Sequence, residues 1–352
     1  GGAGARLEGS KSFAKEVMDA AGVPTGHAAV FSDHESARAF LSEFGVPVVV
    51  KADGLAAGKG VIIAHTMEEA EAALVECFVE RRFGDAGRTV LVEEFLEGEE
   101  VSLLSIVSGE QVLPLAPAQD YKRALDGDLG PNTGGMGAYS PVPAVDDALY
   151  DELVQTIVRP TVAELARRGI DYRGVLYAGI MLTPEGPMVL EFNCRFGDPE
   201  TQALLPRLRS DLFDLLWAAA RGEELPASVE WDDGTAVGVV MASRGYPRSS
   251  SKGDVIQGLR DLQVLDDVQL FHAATKLAGG SLVTDGGRVL TVTGSGGTFA
   301  EARARAYAGV EAIRFQGAQY RTDIALRAEE WEAAGGRPAW AVTAESEESG
   351  DV

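Results

Sequence analysis

Lysine is scarce in this chain, and four of its seven lysines (Lys11, Lys51, Lys59 and Lys122) stand in segments whose glycines and carboxylates could handle a phosphorylated ligand. The first such segment is Val48-Val-Val-Lys51-Ala-Asp-Gly54-Leu-Ala-Ala-Gly58-Lys59-Gly60-Val-Ile-Ile63. Glycines let backbone N–H groups approach an anion, and two lysines add charge. The spacing is not that of a P-loop, which needs four residues between its first glycine and the Gly-Lys pair, then Ser or Thr, then a helix. Here three residues intervene, and Gly60 and a β-branched run follow. A glycine-rich loop between two antiparallel strands can act as a flap over a triphosphate. Taken alone, it fits an ordinary hairpin with surface lysines equally well.

The second segment is Val189-Leu-Glu191-Phe-Asn193-Cys-Arg195-Phe-Gly-Asp198-Pro-Glu200. Residues two apart in a strand point to one face, so Glu191 and Asn193 would present two hard oxygen ligands side by side. Magnesium takes one or two protein oxygens and shares the rest with phosphates and water. Arg195 has the same parity and could grip a carboxylate or phosphate bidentately. A charged strand end with local salt bridges would also account for the pattern. In Val90-Leu-Val-Glu93-Glu94-Phe95-Leu96-Glu97-Gly98-Glu99-Glu100, the backbone at Phe95–Leu96 could bond an adenine edge, and Glu99 or Glu100 could accept ribose hydroxyls. By itself that stretch reads better as a solvated acidic turn. Gly130-Pro-Asn-Thr133-Gly134-Gly135-Met-Gly137 offers backbone donors such as an anion-binding nest uses, or else a flexible linker.

The elements that must position these residues alternate. Helices are expected over 12–21, over 32–44 with Ser32 or Asp33 as N-cap, and from a Thr66 cap to about residue 80. Val46–Val50, Val61–Ala64, Thr89–Glu94 and Val101–Val107 read as strands, giving the first hundred residues a β–α–β-like pattern. Residues 119–140 read as one long polar loop. A helix over 146–168 precedes a hairpin of Val175–Leu182 and Met188–Phe192, and residues 210–221 form another helix. Beyond a boundary at 223–234 come strands Val237–Ala242 and Val289–Thr293 and a helix over 298–315.

Composition narrows the classes. Hydrophobic residues make up 45% of the chain, enough for real cores. The net charge of −23, with no run of Lys and Arg, argues against nucleic-acid binding. No stretch of eighteen apolar residues suggests a membrane span. Two cysteines, Cys77 and Cys194, cannot build a disulfide framework, so a reducing cytoplasm is the expected location. The four histidines show no metal-ligand spacing.

Together and in order, these segments resemble the ATP-grasp ligases, and within them closely the phosphoribosylamine–glycine ligases. The strings that carry the resemblance are Leu7-Glu-Gly-Ser-Lys11, Lys51 to Gly60, Glu93 to Glu100, Gly130 to Pro141 and Glu191 to Thr201. It continues through Val237–Met241, Gly245-Tyr-Pro247 and Gly286-Gly-Arg-Val-Leu290 and covers roughly 7–328. Members of the family begin with a further N-terminal α/β domain. The chain is therefore expected to be a truncated product or part of a longer one, with 1–7 a linker remnant.

The resemblance implies an α/β chain of α+β lobes. An ATP-grasp domain is expected over 8–225 with its flap at 54–60, a smaller C-terminal α/β domain over 230–328, and a disordered acidic tail over 329–352. It implies that ATP and Mg²⁺ (or Mn²⁺) serve the ligation of glycine to 5-phosphoribosylamine through glycyl phosphate. ATP would be held by Lys11, Lys51, Gly58, Lys59, Gly60, Glu93, Glu94, Phe95, Leu96, Glu99 and Glu100. The metal would sit on Glu191 and Asn193, and Arg195 and Asp198 would act on the acyl phosphate. Asp120, Thr133, Gly134 and Gly135 would hold glycine or the ribosyl phosphate. The partners are small-molecule substrates, with no nucleic acid and no membrane, and a monomer is the simplest expectation. Two alternatives stay open: another ATP-grasp carboxylate–amine ligase, or an ATP-binding module inactive without the N-terminal domain.

Overall fold

The computed structural model describes residues 1–54 and 60–335. Most of the expected flap, including Gly58 and Lys59, lies outside the described residues, as does the tail from 336. The chain forms two compact units that interleave in sequence. One comprises 1–114, 151–195 and 214–227, and the other 115–150, 196–213 and 228–352.

The first unit holds two four-stranded antiparallel sheets. In the first sheet the order is Ala28–Phe31, Val90–Glu94, Val48–Ala52, Val61–Ala64. The β-branched run of Val48–Ala52 is buried along its whole length, the pattern of a strand covered on both faces. Val48, Val50, Val90 and Val92 pack against Ala37, Leu41 and Leu74 from the helices His34–Phe44 and Met67–Phe78. Each such side chain favours the fold by about 1.5–3 kcal/mol over its exposed state. Local chemistry sets where the helices start. Asp33 accepts from Ser36 N, and Thr66 and Glu69 form a reciprocal capping box. The expected β–α–β-like order is present, and with Val90–Glu94 inserted between Ala28–Phe31 and Val48–Ala52 every pairing in the sheet is antiparallel.

In the second sheet the order is Gly186–Asn193, Arg173–Thr183, Glu99–Ser108, Gln111–Pro114. The hairpin expected near 175–192 is present, longer by a few residues, with register Gly179↔Glu191 and Tyr177↔Asn193.

The second unit is built on a five-stranded sheet ordered Val268–His272, Arg288–Gly296, Thr235–Ala242, Gly137–Ser140, Gln119–Asp120. The expected long loop over 119–140 is therefore corrected. Its two ends are sheet strands, and Arg123–Leu125 and Leu129–Asn132 pair as a small hairpin. Helix Phe299–Ala312 packs against Arg288–Gly296. It comes so close that a Cβ on Gly294 would lie 2.3 Å from the Ala302 carbonyl oxygen. Residues 329–333, expected to belong to the acidic tail, lie in a helix. Helix Leu326–Ala333 is held by an Arg303–Glu329 ion pair and by Glu332 accepting from Phe299 N at 2.8 Å.

Candidate active site

In the first unit, Lys51 lies on a central strand, and Glu93 faces Val49 on the neighbouring one, one diagonal step from Lys51. Both side chains are almost fully buried and form an ion pair, and Glu93 is clasped from its other side by Lys15. A buried carboxylate between two ammonium groups is the arrangement that makes buried charge tolerable. Lys15 also donates to Thr25 Oγ1 at 2.7 Å and to Gly26 O at 2.8 Å, and Thr25 Oγ1 donates to Val189 O at 2.6 Å. Lys51 Nζ donates to Leu190 O at 3.2 Å. These bonds join the lysine strand of the first sheet to strand Gly186–Asn193 of the second.

Lys11, at the start of helix Lys11–Ala21, closes the base of the glycine loop. Its Nζ donates to Ala52 O at 2.9 Å and Gly54 O at 3.2 Å. Burial pushes the Lys11 pKa below its ordinary 10.5, and the nearby charge of Glu191 works against that shift. Asp53 anchors the same base by accepting from Ser12 N at 2.7 Å and Ser12 Oγ at 2.8 Å.

Glu191 and Asn193 share a strand face as their parity requires, with Asn193 Nδ2 donating to Glu191 Oε1 at 3.3 Å. Glu191 is exposed, and Gly179 opposite it leaves its approach open. Arg195 Nη2 donates to Asn193 Oδ1 at 3.2 Å, and its Nε to Glu8 Oε1 at 3.0 Å. Glu8 also accepts from Cys194 N at 2.9 Å. Among the described residues no group of three or more His, Cys, Asp or Glu could hold a metal, so a cation here would rest on the Glu191–Asn193 pair and on the ligand it accompanies.

The adenine-pocket candidates follow Glu93 in the chain. Glu94 is exposed and accepts from His27 N at 3.0 Å. Phe95 meets His65 edge-to-face at 5.5 Å, and Leu96 is buried. Glu99 and Glu100 open strand Glu99–Ser108, half-buried, opposite Leu182 and Met181.

The substrate candidates form a separate cluster within the second unit. Asp120 is buried and pairs with Lys122 at 2.8 Å. The Lys122 carbonyl accepts from Thr133 N at 2.7 Å and Thr133 Oγ1 at 2.9 Å, and Gly135 N donates to Thr133 Oγ1 at 2.9 Å. Gly135 has φ +107°, and a Cβ there would lie 2.4 Å from Pro199 Cδ. Asp198 is exposed and accepts from Gln202 Nε2 at 3.0 Å.

Sequence reasoning missed Lys15, Glu8 and Arg288. The scarcity of lysine was the available signal for Lys15. Arg288 lies in the Gly286–Leu290 string, yet only the structure shows its Nη1 donating to Gly134 O at 2.6 Å and Asp198 O at 2.7 Å.

Comparison with known proteins agrees with this geometry. The family model described as phosphoribosylglycinamide synthetase, ATP-grasp (A) domain, matches residues 9–201, and the C-domain model of that synthetase matches 236–327. The phosphoribosylamine–glycine ligase of Salmonella typhimurium is 52% identical over 330 residues, covering 93% of this chain and 77% of that protein. The ligase of that name from Halalkalibacterium halodurans is 50% identical over 324 residues, covering 92% and 75%. The crystal structure of phosphoribosylamine–glycine ligase from Thermotoga maritima superposes with a TM-score of 0.83 at 38% identity, covering 91% of this chain and 79% of that one. The chain belongs to the phosphoribosylamine–glycine ligase family, within the ATP-grasp fold.

Proposed function

We propose that this chain joins glycine to 5-phosphoribosylamine with cleavage of ATP to ADP and phosphate, giving glycinamide ribonucleotide in purine biosynthesis. Family membership makes it a ligase of that pathway. The observation that carries the site assignment is the Lys51–Leu190 bond, which sets a buried cation one residue from Glu191.

In this reading Lys11 and Lys51, with Lys59 from the loop, neutralise the ATP phosphates, and Gly58 and Gly60 let the loop approach them. Glu93 keeps Lys51 aimed rather than touching the base itself. Glu94, Phe95 and Leu96 border the adenine, and Glu99 or Glu100 accepts the ribose hydroxyls. Glu191 and Asn193 fit Mg²⁺ or Mn²⁺, since both are hard oxygen donors, adjacent on one face, with the carboxylate exposed. A bound ion there would offset phosphate charge and orient the γ-phosphate.

The reaction needs an activated carboxylate. A glycine carboxylate oxygen bonds to the γ-phosphorus as the bond to the β-bridging oxygen breaks, releasing ADP and leaving glycyl phosphate. The amine of phosphoribosylamine then bonds to the acyl carbon, phosphate leaves, and the nitrogen loses its proton. Arg195 is assigned to the charge that develops on the acyl phosphate, and Asp198 to the same group. Asp120, Thr133, Gly134 and Gly135 are assigned to the substrates. We further propose that 8–225 handle the nucleotide, that 230–328 form a smaller C-terminal domain, and that the protein works as a cytoplasmic monomer.

The test is ADP release with each substrate omitted in turn and with other carboxylic acids in place of glycine. Release that needs both glycine and 5-phosphoribosylamine, with glycinamide ribonucleotide found by mass spectrometry, is the expected result. Release driven by a different acid would point to another carboxylate–amine ligase. ATP binding with no turnover would point to a nucleotide-binding module.

A further inference from the structure

We propose that Arg288 and Tyr246 form a subsite for a substrate oxyanion, the carboxylate of the amino acid or the phosphate monoester of the sugar. The proposal rests on the ligase reading above, which supplies two substrates that each carry such a group.

Arg288 is the first residue of strand Arg288–Gly296, and its guanidinium is committed on one side alone. Nη1 donates to Gly134 O at 2.6 Å and Asp198 O at 2.7 Å, and lies 3.4 Å from Asp198 Oδ1. Among the described residues, Nε and Nη2 have no partner, and the side chain keeps 23% of its surface exposed. A guanidinium has five donors in a planar fork, and its usual protein partner fills two of them bidentately. Two carbonyls orient the group without neutralising it. The nearby Asp198 carboxylate is offset toward Nη1 and shared with Gln202. The free edge therefore remains a charged, aimed, two-donor surface, the geometry that matches a carboxylate or phosphate.

Tyr246 supplies a further donor. Its hydroxyl oxygen accepts from Gly134 N at 3.0 Å, and among the described residues its own hydrogen has no acceptor. The glycines around it are cut to fit. A Cβ on Gly287 would lie 2.4 Å from Tyr246 Cδ2, and one on Gly134 would lie 3.1 Å from Arg288 Cζ. Arg288 and Tyr246 thus bracket Gly134, one holding its carbonyl and the other its N–H, each with donors to spare.

The experiment combines steady-state kinetics with calorimetric titration of glycine and ribose 5-phosphate into wild type, Arg288→Met, Arg288→Lys and Tyr246→Phe. Arg288→Met should raise KM for one oxyanion substrate at least tenfold and leave KM for ATP within twofold. Arg288→Lys should recover part of the loss, and Tyr246→Phe should show a several-fold rise for the same substrate. A loss confined to glycine names the carboxylate, and one confined to ribose 5-phosphate names the phosphate. Unchanged KM values, or equal rises for all three substrates with a lowered Tm, would reduce Arg288 to a structural staple and overturn the proposal. A wild type without glycine-dependent ADP release would fail the ligase reading instead. The titrations then decide the subsite, and binding equal in wild type and Arg288→Met, or absent from wild type, overturns it.

Discussion

Lys51 and Glu191 stand on strands of different sheets, and a 3.2 Å hydrogen bond from Lys51 Nζ to the carbonyl of Leu190 brings the lysine to within one residue of the carboxylate. The lysine is fixed by Glu93, while the carboxylate is exposed beside Asn193. In the proposed reading, a cation held rigidly beside two oxygen donors that, among the described residues, are engaged only with each other and with Arg195 would receive a metal-bound polyphosphate with little reorganisation.

Lys51→Met should damage the fold as well as activity. It removes one partner of a buried ion pair and leaves Glu93 to Lys15 alone. Breaking such a pair costs about 3–5 kcal/mol. The surviving Lys15 contact places the expected loss at about 3 kcal/mol, read from the urea midpoint. A loss below about 0.5 kcal/mol, the size of ordinary surface changes, would show that the pair is not structurally important.

Glu191→Gln should separate chemistry from folding. The residue is exposed, so Tm should stay within the small range of surface substitutions. Metal-dependent ADP formation should fall at least about a hundredfold, as when a group aimed at developing charge is removed. A magnesium titration of the rate checks this, and retained activity would remove the metal role.

The strands flanking the glycine-rich segment and the shared face of Glu191 and Asn193 were legible because local patterns mark both. Val48-Val-Val50 and Val61-Ile-Ile63 are β-branched runs around glycines, and Glu191-x-Asn193 follows strand parity. The Thr66–Glu69 capping box likewise lies within four residues. The 119–140 segment was not legible. Its strands Gln119–Asp120 and Gly137–Ser140 are short and rich in glycine and polar residues, and Gly137–Ser140 pairs with Thr235–Ala242 about a hundred positions later. Periodicity cannot report a strand of two to four residues that exists only because a distant one accepts it. The same distance hid Lys15 from Glu93 and Arg288 from Gly134.

Gly135→Ala should be costly for a backbone reason. At φ +107° an alanine is strained, and its Cβ would meet Pro199 Cδ at 2.4 Å. A loss of about 1–3 kcal/mol is expected, with a fall in turnover if the Thr133–Gly135 turn presents substrate donors. Unfolding curves and kcat measured together check both parts, and an unchanged Tm would contradict the strain.

Stability should carry an acid signature at Glu164. Hydrogen bonds first from Arg167 and then from Arg168 hold its carboxyl down at about 2, against 4.5 for a free glutamate. A depressed carboxylate pKa favours the fold above the unfolded value, and that contribution is lost as pH falls through the folded one. Wild type should therefore exceed Glu164→Gln in urea midpoint at pH 6, with the gap narrowing below about 4.5 and gone only below about 2. A gap independent of pH would mean that the arginine contacts do not act through charge.

The most direct test is a crystal structure with Mn²⁺ and a non-hydrolysable ATP analogue. Anomalous density for manganese at Glu191 and Asn193, with the triphosphate against Lys51 and Lys11, is the expected result. Manganese and triphosphate bound away from these four side chains would contradict it.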